Sequence, residues 1–132
     1  MKLLLDADVL IGALDGNDPH HRRARALFTK WRDDQDACAV SVVNLTEVLI
    51  APSADVSKLA AARAAIATLG VTVHQPNEAI GVEAARLRQR HPISLPDAYC
   101  LATAKHTSSA VSSFDQKLLK AATREGVKVV DH

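Results

Sequence analysis

Five short runs rich in Leu, Val, Ile and Ala punctuate this chain: Lys2–Leu5, Ala37–Val40, Val71–His74, Ala110–Ser112 and Val127–Val130. They are too brief for buried helices and lack the in–out alternation of a strand wetted on one face. Such runs suit a parallel sheet covered on both sides. The stretches between them carry helical spacing. Ala24, Leu27, Phe28 and Trp31 recur at i, i+3, i+4 and i+7, which is one apolar stripe. Leu59, Ala62, Ile66 and Leu69 form a second stripe, with Gly70 as its C-terminal cap. Ile80, Ala84 and Leu87 mark a third, and Leu118, Leu119 and Ala122, closed by Gly126, a fourth. Alternating strands and helices predict an α/β, three-layer sandwich with a mainly parallel sheet of about five strands. A length of 132 residues suits one domain over residues 1–132. Aromatics are only 3% of the chain, so aliphatic side chains must build the core.

Right-handed crossovers align the C-terminal ends of parallel strands along one edge, and ligands of open sheets bind there. Four acids map to that edge. Asp6 follows Leu3-Leu4-Leu5, Asp115 comes just after the fourth strand, and Asp97 opens a helix near Leu95. Glu47 interrupts the apolar stretch from Val40 to Ile50, in the first or second turn of a helix. An ionised carboxylate buried without a partner is costly and normally neutralises or binds a cation. Convergence of the four would make a divalent metal the natural partner and metal-assisted hydrolysis the natural chemistry. Magnesium and manganese suit such oxygen donors.

Each acid also has a purely structural reading. Asp6 can begin a turn or cap a helix starting near Val9, and Asp8 is the better cap candidate. Ser94-Leu95-Pro96-Asp97 matches a capping box. Asp115 can cap the helix from Gln116 to Glu125, and Glu47 can sit on a helix surface. Ser41, Asn44 and Ser113 lie near the same edge and can hold a water or a phosphate oxygen.

Lys and Arg total 16 against 15 Asp and Glu, so net charge does not mark a nucleic-acid binder. Clustering does more. His20, His21, Arg22, Arg23 and Arg25 make one basic patch, and Arg86, Arg88, Arg90 and His91 another. Either is a solvated helix face or a phosphate contact flanking the acids. Six scattered histidines lack zinc-site spacing, and GxGxxG, P-loop and GxSxG motifs are missing. Cys38 and Cys100 sit in apolar contexts without CxxC spacing, which reads as reduced core thiols. No early apolar stretch resembles a secretory segment, and none is long enough to span a membrane, so a soluble, cytoplasmic protein is expected.

The acid-bearing segments resemble the PIN-domain ribonucleases, specifically the VapC-type toxins of bacterial toxin–antitoxin pairs. Leu4-Leu5-Asp6-Ala7-Asp8-Val9-Leu10-Ile11 looks like the first motif of that family. Ser41-Val42-Val43-Asn44-Leu45-Thr46-Glu47-Val48 looks like the second. Leu95-Pro96-Asp97-Ala98-Tyr99-Cys100-Leu101-Ala102-Thr103-Ala104 looks like the third and most specific, and Ser113-Phe114-Asp115 like the fourth. The resemblance implies a PIN-like fold and a Mg²⁺- or Mn²⁺-dependent endoribonuclease that inhibits translation by cutting tRNA or ribosomal RNA. It also implies a cognate VapB-type antitoxin and a homodimer. Asp6, Glu47, Asp97 and Asp115 would be the catalytic acids, with Asp6, Asp97 and Asp115 at the metal. Ser113, Asn44 and Asp8 would support them, and Arg22, Arg23, Arg25 and Arg86 would contact substrate. Asp8 departs from the neutral Asn or Ser usual at its position.

Three other readings compete. One is a catalytically silent PIN-fold module that binds RNA or protein, and another a metal-dependent phosphatase. The third, a phosphoacceptor receiver domain, needs an Asp closing the third strand, where this chain has His74-Gln75.

Overall fold

Leu3, Leu4 and Leu5 are all buried in a computed structural model that describes residues 1–130. The last two residues of the expected 1–132 domain lie outside the described residues. Because successive strand side chains point to opposite faces, Leu3 and Leu5 enter one core cluster and Leu4 the other. Both faces of this strand, β1 (Lys2–Leu5), must therefore be covered. The first face is covered by α1 (Ala7–Leu14), α2 (His21–Asp33), α3 (Val42–Leu49) and α4 (Val56–Thr68). The second is covered by α5 (Glu78–Arg90), α6 (Leu95–Thr107) and α7 (Gln116–Arg124). The result is the expected three-layer α/β sandwich.

Besides β1 the sheet holds β2 (Ala37–Ser41), β3 (Val71–His74) and β4 (Ala110–Ser112), in the order β3-β2-β1-β4. All pairings are parallel, with Leu3 opposite both Cys38 and Ala110. The chain runs outward from β1 through β2 to β3, then returns to the other side of β1 as β4. The order reverses between β1 and β4, so the ligand crevice of such a sheet opens beyond Leu5 and Ser112. A receiver-type sheet has the order 2-1-3-4-5, which this connectivity excludes.

Four strands form where about five were expected among the described residues. Residues 127–130 contribute one parallel bridge, Val129 to Val111. The reason is local: the Val127 amide still bonds the Ala122 carbonyl at the end of α7, 2.9 Å away. Only the bonds from Val111 N to Lys128 O and from Val130 N to Val111 O remain for pairing. The stop signals behave as expected, since Gly70 and Gly126 take φ of +78° and +74°. Only glycine adopts that region without steric cost.

Helix α6 runs through the second cluster with Ala98, Cys100, Leu101, Ala102 and Ala104 buried. Leu101 is fully enclosed. We expect Leu101→Ala to cost about 2–5 kcal/mol, the sum of lost transfer energy and a cavity. Urea unfolding checks this, and a loss below about 1 kcal/mol would contradict the packing.

Candidate active site

The acids meet at the crevice between β1 and β4. Asp6, Asp8, Glu47, Asp97 and Asp115 line a single cleft of about 680 Å³, together with Ile11, Ile50, Pro92, Ile93, Ser94 and Lys117. Asp6 stands at the end of β1, and Glu47 is in the second turn of α3. Asp97 lies in the first turn of α6, and Asp115 caps α7. Asp6, Asp8, Asp97 and Asp115 reach one volume because each stands where an element opens or closes at the same sheet edge, and Glu47 joins them from the second turn of α3.

Asp6 is only 5% exposed. One of its oxygens accepts the Ala7 amide at 2.7 Å and the other accepts the Ser113 hydroxyl at 2.7 Å. The Ser113 oxygen in turn accepts the Asp115 amide at 2.9 Å. A backbone donor on the α7 side is therefore linked through Ser113 to the carboxylate on β1. Asn44, fully buried, donates to the Pro96 carbonyl at 3.1 Å and to Glu47 Oε1 at 3.4 Å. It holds α3 against the first turn of α6 and so sets Glu47 relative to Asp97. Ser94 accepts the Asp97 amide at 3.3 Å, completing one half of the expected capping box. Asp115 accepts the Lys117 amide at 2.9 Å, as a cap should. Ser41 caps α3 by accepting the Val43 amide.

Asp8 corrects the expectation that it would cap the first helix. That helix begins at Ala7, one turn-start earlier than the Val9 anticipated, and Asp6 is its cap. Asp8 instead reaches across to the β4–α7 loop. Its Oδ2 accepts the Phe114 amide at 3.0 Å, while its Oδ1 is buried with no hydrogen-bond partner among the described residues. The helix start moved because the backbone turns immediately after β1. Asp8 then lies on the helix face that looks toward the crevice.

The electrostatics are those of a site short of positive charge. Burial and the neighbouring Asp8 charge push Asp6 up to about 7 against an ordinary 3.8, although Ser113 and the Ala7 amide oppose this. Burial, with Asp6 and Asp115 nearby, lifts Asp97 to about 7. Burial, with the Asp115 and Asp97 charges, lifts Asp8 to about 6 despite the Phe114 amide. The Asp97 rise is informative, because a first-turn carboxylate should be favoured by the helix dipole. Desolvation and like charge outweigh that benefit here. The Cys100 thiol, fully buried behind the acids, is pushed well up by burial and by the same carboxylates.

A divalent ion would answer each of these features. It would relieve the mutual repulsion, and it would give the orphaned Asp8 oxygen a partner. The donor set is all carboxylate and hydroxyl oxygen, which suits a hard cation. As the side chains stand, no three of them form a ready-made ligand cluster among the described residues. The Asp115 carboxyl beside it raises Asp97 further.

A model of the PIN domain family matches residues 3–124. The chain belongs to the PIN domain family. Solved structures of similar shape agree with that fold. A toxin–antitoxin complex from Klebsiella pneumoniae aligns with a TM-score of 0.72 at 24% identity, covering 87% of this chain and 88% of that one. VapC20 of Mycobacterium tuberculosis, a sarcin–ricin loop cleaving toxin, aligns with a TM-score of 0.74 at 18% identity, covering 90% and 94%. VapBC2 of Rickettsia felis, bound to a DNA fragment from their promoter, gives 0.74 at 14% identity, covering 100% and 99%. A comparison with curated proteins gives no match.

In this PIN domain the basic residues divide. Arg86 is not brought to the acids: it sits 3.9 Å from Glu83 and lines a separate depression with Val82, Lys105 and His106. Lys105 lies eight residues along α6 from Asp97, about 12 Å at 1.5 Å per residue. Two more members of that patch are tied to one acid. Arg90 pairs with Glu125 at 3.0 Å and His91 with Glu125 at 2.6 Å. Arg25 lines a different groove with Phe28, Trp31 and Leu69, and Arg22 is exposed on the first turn of α2. Only Arg23 reaches an acid-bearing loop, with its guanidinium 4.9 Å from the centre of the Phe114 ring. Sequence reading missed two participants. Lys117 lines the acid cleft, and its position two residues after a helix-capping acid was the available signal. The His20 ring stacks on Phe114 at 4.3 Å, a contact between distant segments that no local pattern announces.

Among the described residues, no helix is long and apolar enough to cross a membrane.

Proposed function

We propose that the protein is a Mg²⁺- or Mn²⁺-dependent endoribonuclease toxin that acts on RNA in the cytoplasm and is neutralised by a cognate antitoxin. One observation carries the reading: five carboxylates share one cleft, and three of them are held near or above their charging point by burial and each other. A structural cap does not need four acidic neighbours. Asp6, Asp97 and Asp115 would hold the ion, Asp8 would add a further oxygen, and Glu47 would orient or deprotonate the attacking water. The bound ion would supply a more acidic water and neutralise charge building on the phosphodiester. Water adds to phosphorus, one P–O ester bond breaks, and the departing oxygen takes a proton. Ser113 fixes the rotamer of Asp6, and Asn44 fixes Glu47 against α6. Neither residue needs to touch substrate to matter.

The toxin and antitoxin parts of this reading draw on the similar structures, several of which are toxin–antitoxin complexes. The family suits a nuclease better than a phosphomonoesterase or a silent scaffold, since an inactive copy has no reason to keep so costly a charge cluster. The test is induced expression of the wild type, Asp6→Ala and Asp97→Ala. Growth arrest with defined new RNA 5′ ends, absent from both variants, is expected, and co-expression of the antitoxin should restore growth. Equal arrest by the variants would reject the catalytic assignment.

A further inference from the structure

We propose that His20, Phe114 and Arg23 form a subsite for a single-stranded RNA segment beside the acid cleft, with His20 as a stacking surface and Arg23 as a phosphate contact. This rests on the nuclease reading for the identity of the strand.

The argument begins with charge. A polyanion approaching five carboxylates is repelled unless cations stand beside them. In the second basic patch Arg86 is placed against Glu83 and Arg90 against Glu83 and Glu125, away from the acid cleft. Arg22 and Arg23, by contrast, are exposed and make no ion pair among the described residues. Arg23 is therefore the cation available at this wall, with Lys117 inside the cleft itself.

Position comes next. Phe114 lies between Ser113, which bonds Asp6, and Asp115, which lines the cleft. Its amide is held by Asp8. The ring is thus tied to the acids by neighbours on both sides. His20 lies nearly parallel to it, 19° from coplanar, and Arg23 sits over the same ring. These two residues come from the start of α2, one helical turn apart. Helix α2 is drawn close to α1 at Gly12, where an added Cβ would stand 3.2 Å from that of Ala24 and 3.4 Å from that of His20. His21 reinforces the contact by bonding the Gly12 carbonyl at 2.8 Å. The platform is therefore built into the α1–α2 packing.

Chemistry selects the ligand. A flat aromatic surface with a guanidinium beside an acidic cleft matches an unstacked base and its adjoining phosphate. A duplex keeps its bases stacked and could use only the arginine. The arrangement therefore favours a loop or a single strand over a continuous helix.

The experiment separates binding from cleavage. A fluorescein-labelled ten-nucleotide oligouridylate is titrated by anisotropy into the full chain, with Ca²⁺ in place of Mg²⁺, beside a blunt RNA duplex of equal charge. Arg23→Ala and His20→Ala should each weaken oligouridylate binding about tenfold. His20→Phe should restore it. Arg23→Ala should reduce the slope of log K against log salt by about one, and Arg86→Ala should change nothing. Cleavage by the two alanine variants should show a raised KM with kcat nearly unchanged. Circular dichroism checks folding, and exposed Arg23 alone carries the test should His20→Ala unfold. Wild-type affinity in Arg23→Ala, equal loss in Arg86→Ala, or tighter binding of the duplex would overturn the subsite. Cleavage with unaffected variants sinks this inference and leaves the nuclease standing. Binding that depends on Arg23 without any cleavage does the reverse.

Discussion

Asp6→Asn is expected to lower RNA cleavage by at least about a thousandfold while making the metal-free protein more stable. The loss is the scale associated with removing one preorganised electrostatic group from a charged transition state, compounded by weaker ion binding. The gain has a separate origin. Asp6 is buried, its carboxyl is pushed up to about 7, and Asp8 and Glu47 contribute to that rise. Asparagine keeps an oxygen for the Ala7 amide and an amide for the Ser113 oxygen, so both hydrogen bonds of Asp6 survive. The charge goes and the shape remains. A melting temperature several degrees above wild type at pH 8 without metal would follow. Opposed signs in activity and stability mark a residue kept for function. A variant less stable than wild type, or one that retains activity, would make Asp6 a structural cap.

Metal-free stability should fall as pH rises from about 4 to about 7, and Mn²⁺ should restore it most at the upper end. Asp6, Asp8 and Asp97 hold protons to about 7, 6 and 7, against 3.8 in an unfolded chain. Below 3.8 every form is protonated, and the stability from these groups is complete. Between there and about 7 the unfolded chain gives up protons that the folded chain keeps, so the folded state loses its advantage. Glu125 behaves oppositely. Hydrogen bonds from Arg90 and His91 hold it down to about 2, against an ordinary 4.5. Its stabilisation is present above 4.5 and is lost only as pH falls toward 2. Between about 4 and about 7 the carboxyl contribution to the slope therefore comes from the acid cleft. An ion that binds only the folded state stabilises by about 2.7 kcal/mol at a hundred times its Kd, and protons compete with it at low pH. Thermal melts at pH 5, 6.5 and 8, with EDTA or Mn²⁺, measure this directly. A flat metal-free profile, or an equal Mn²⁺ shift in Asp6→Asn, would contradict the site.

The parts of this architecture that were legible are those governed by neighbours in the chain. The strands at Lys2–Leu5, Val71–His74 and Ala110–Ser112 appear as expected; Leu3-Leu4-Leu5 is covered on both faces, whereas β3 at the sheet edge leaves Thr72 and Val73 exposed. Ser94 and Asp115 open their helices, and Gly70 and Gly126 follow theirs, as their chemistry demands. The misplacements share a cause. Asp8 looked like a cap because its local pattern fits one, yet its partner is Phe114, 106 residues away. Arg86, Arg90 and His91 looked available because sequence shows charge and not which of Glu83 and Glu125 the fold sets against it. The fifth strand shrank to a bridge because the end of α7 claimed its first amide.

Residue order alone determined that strands and helices alternate, that their polarity is parallel, and that acids stand where strands end and helices begin. Those are properties of short-range sterics, hydrophobic period and capping. Tertiary packing decided which acids face the same volume, which cations remain unpaired, and that Asp8 turns inward beside Asp6. Proton affinity belongs to that second group, because burial and like charge act through space. The same aspartate that is ordinary in solution becomes a weak acid only where the fold crowds it against its fellows.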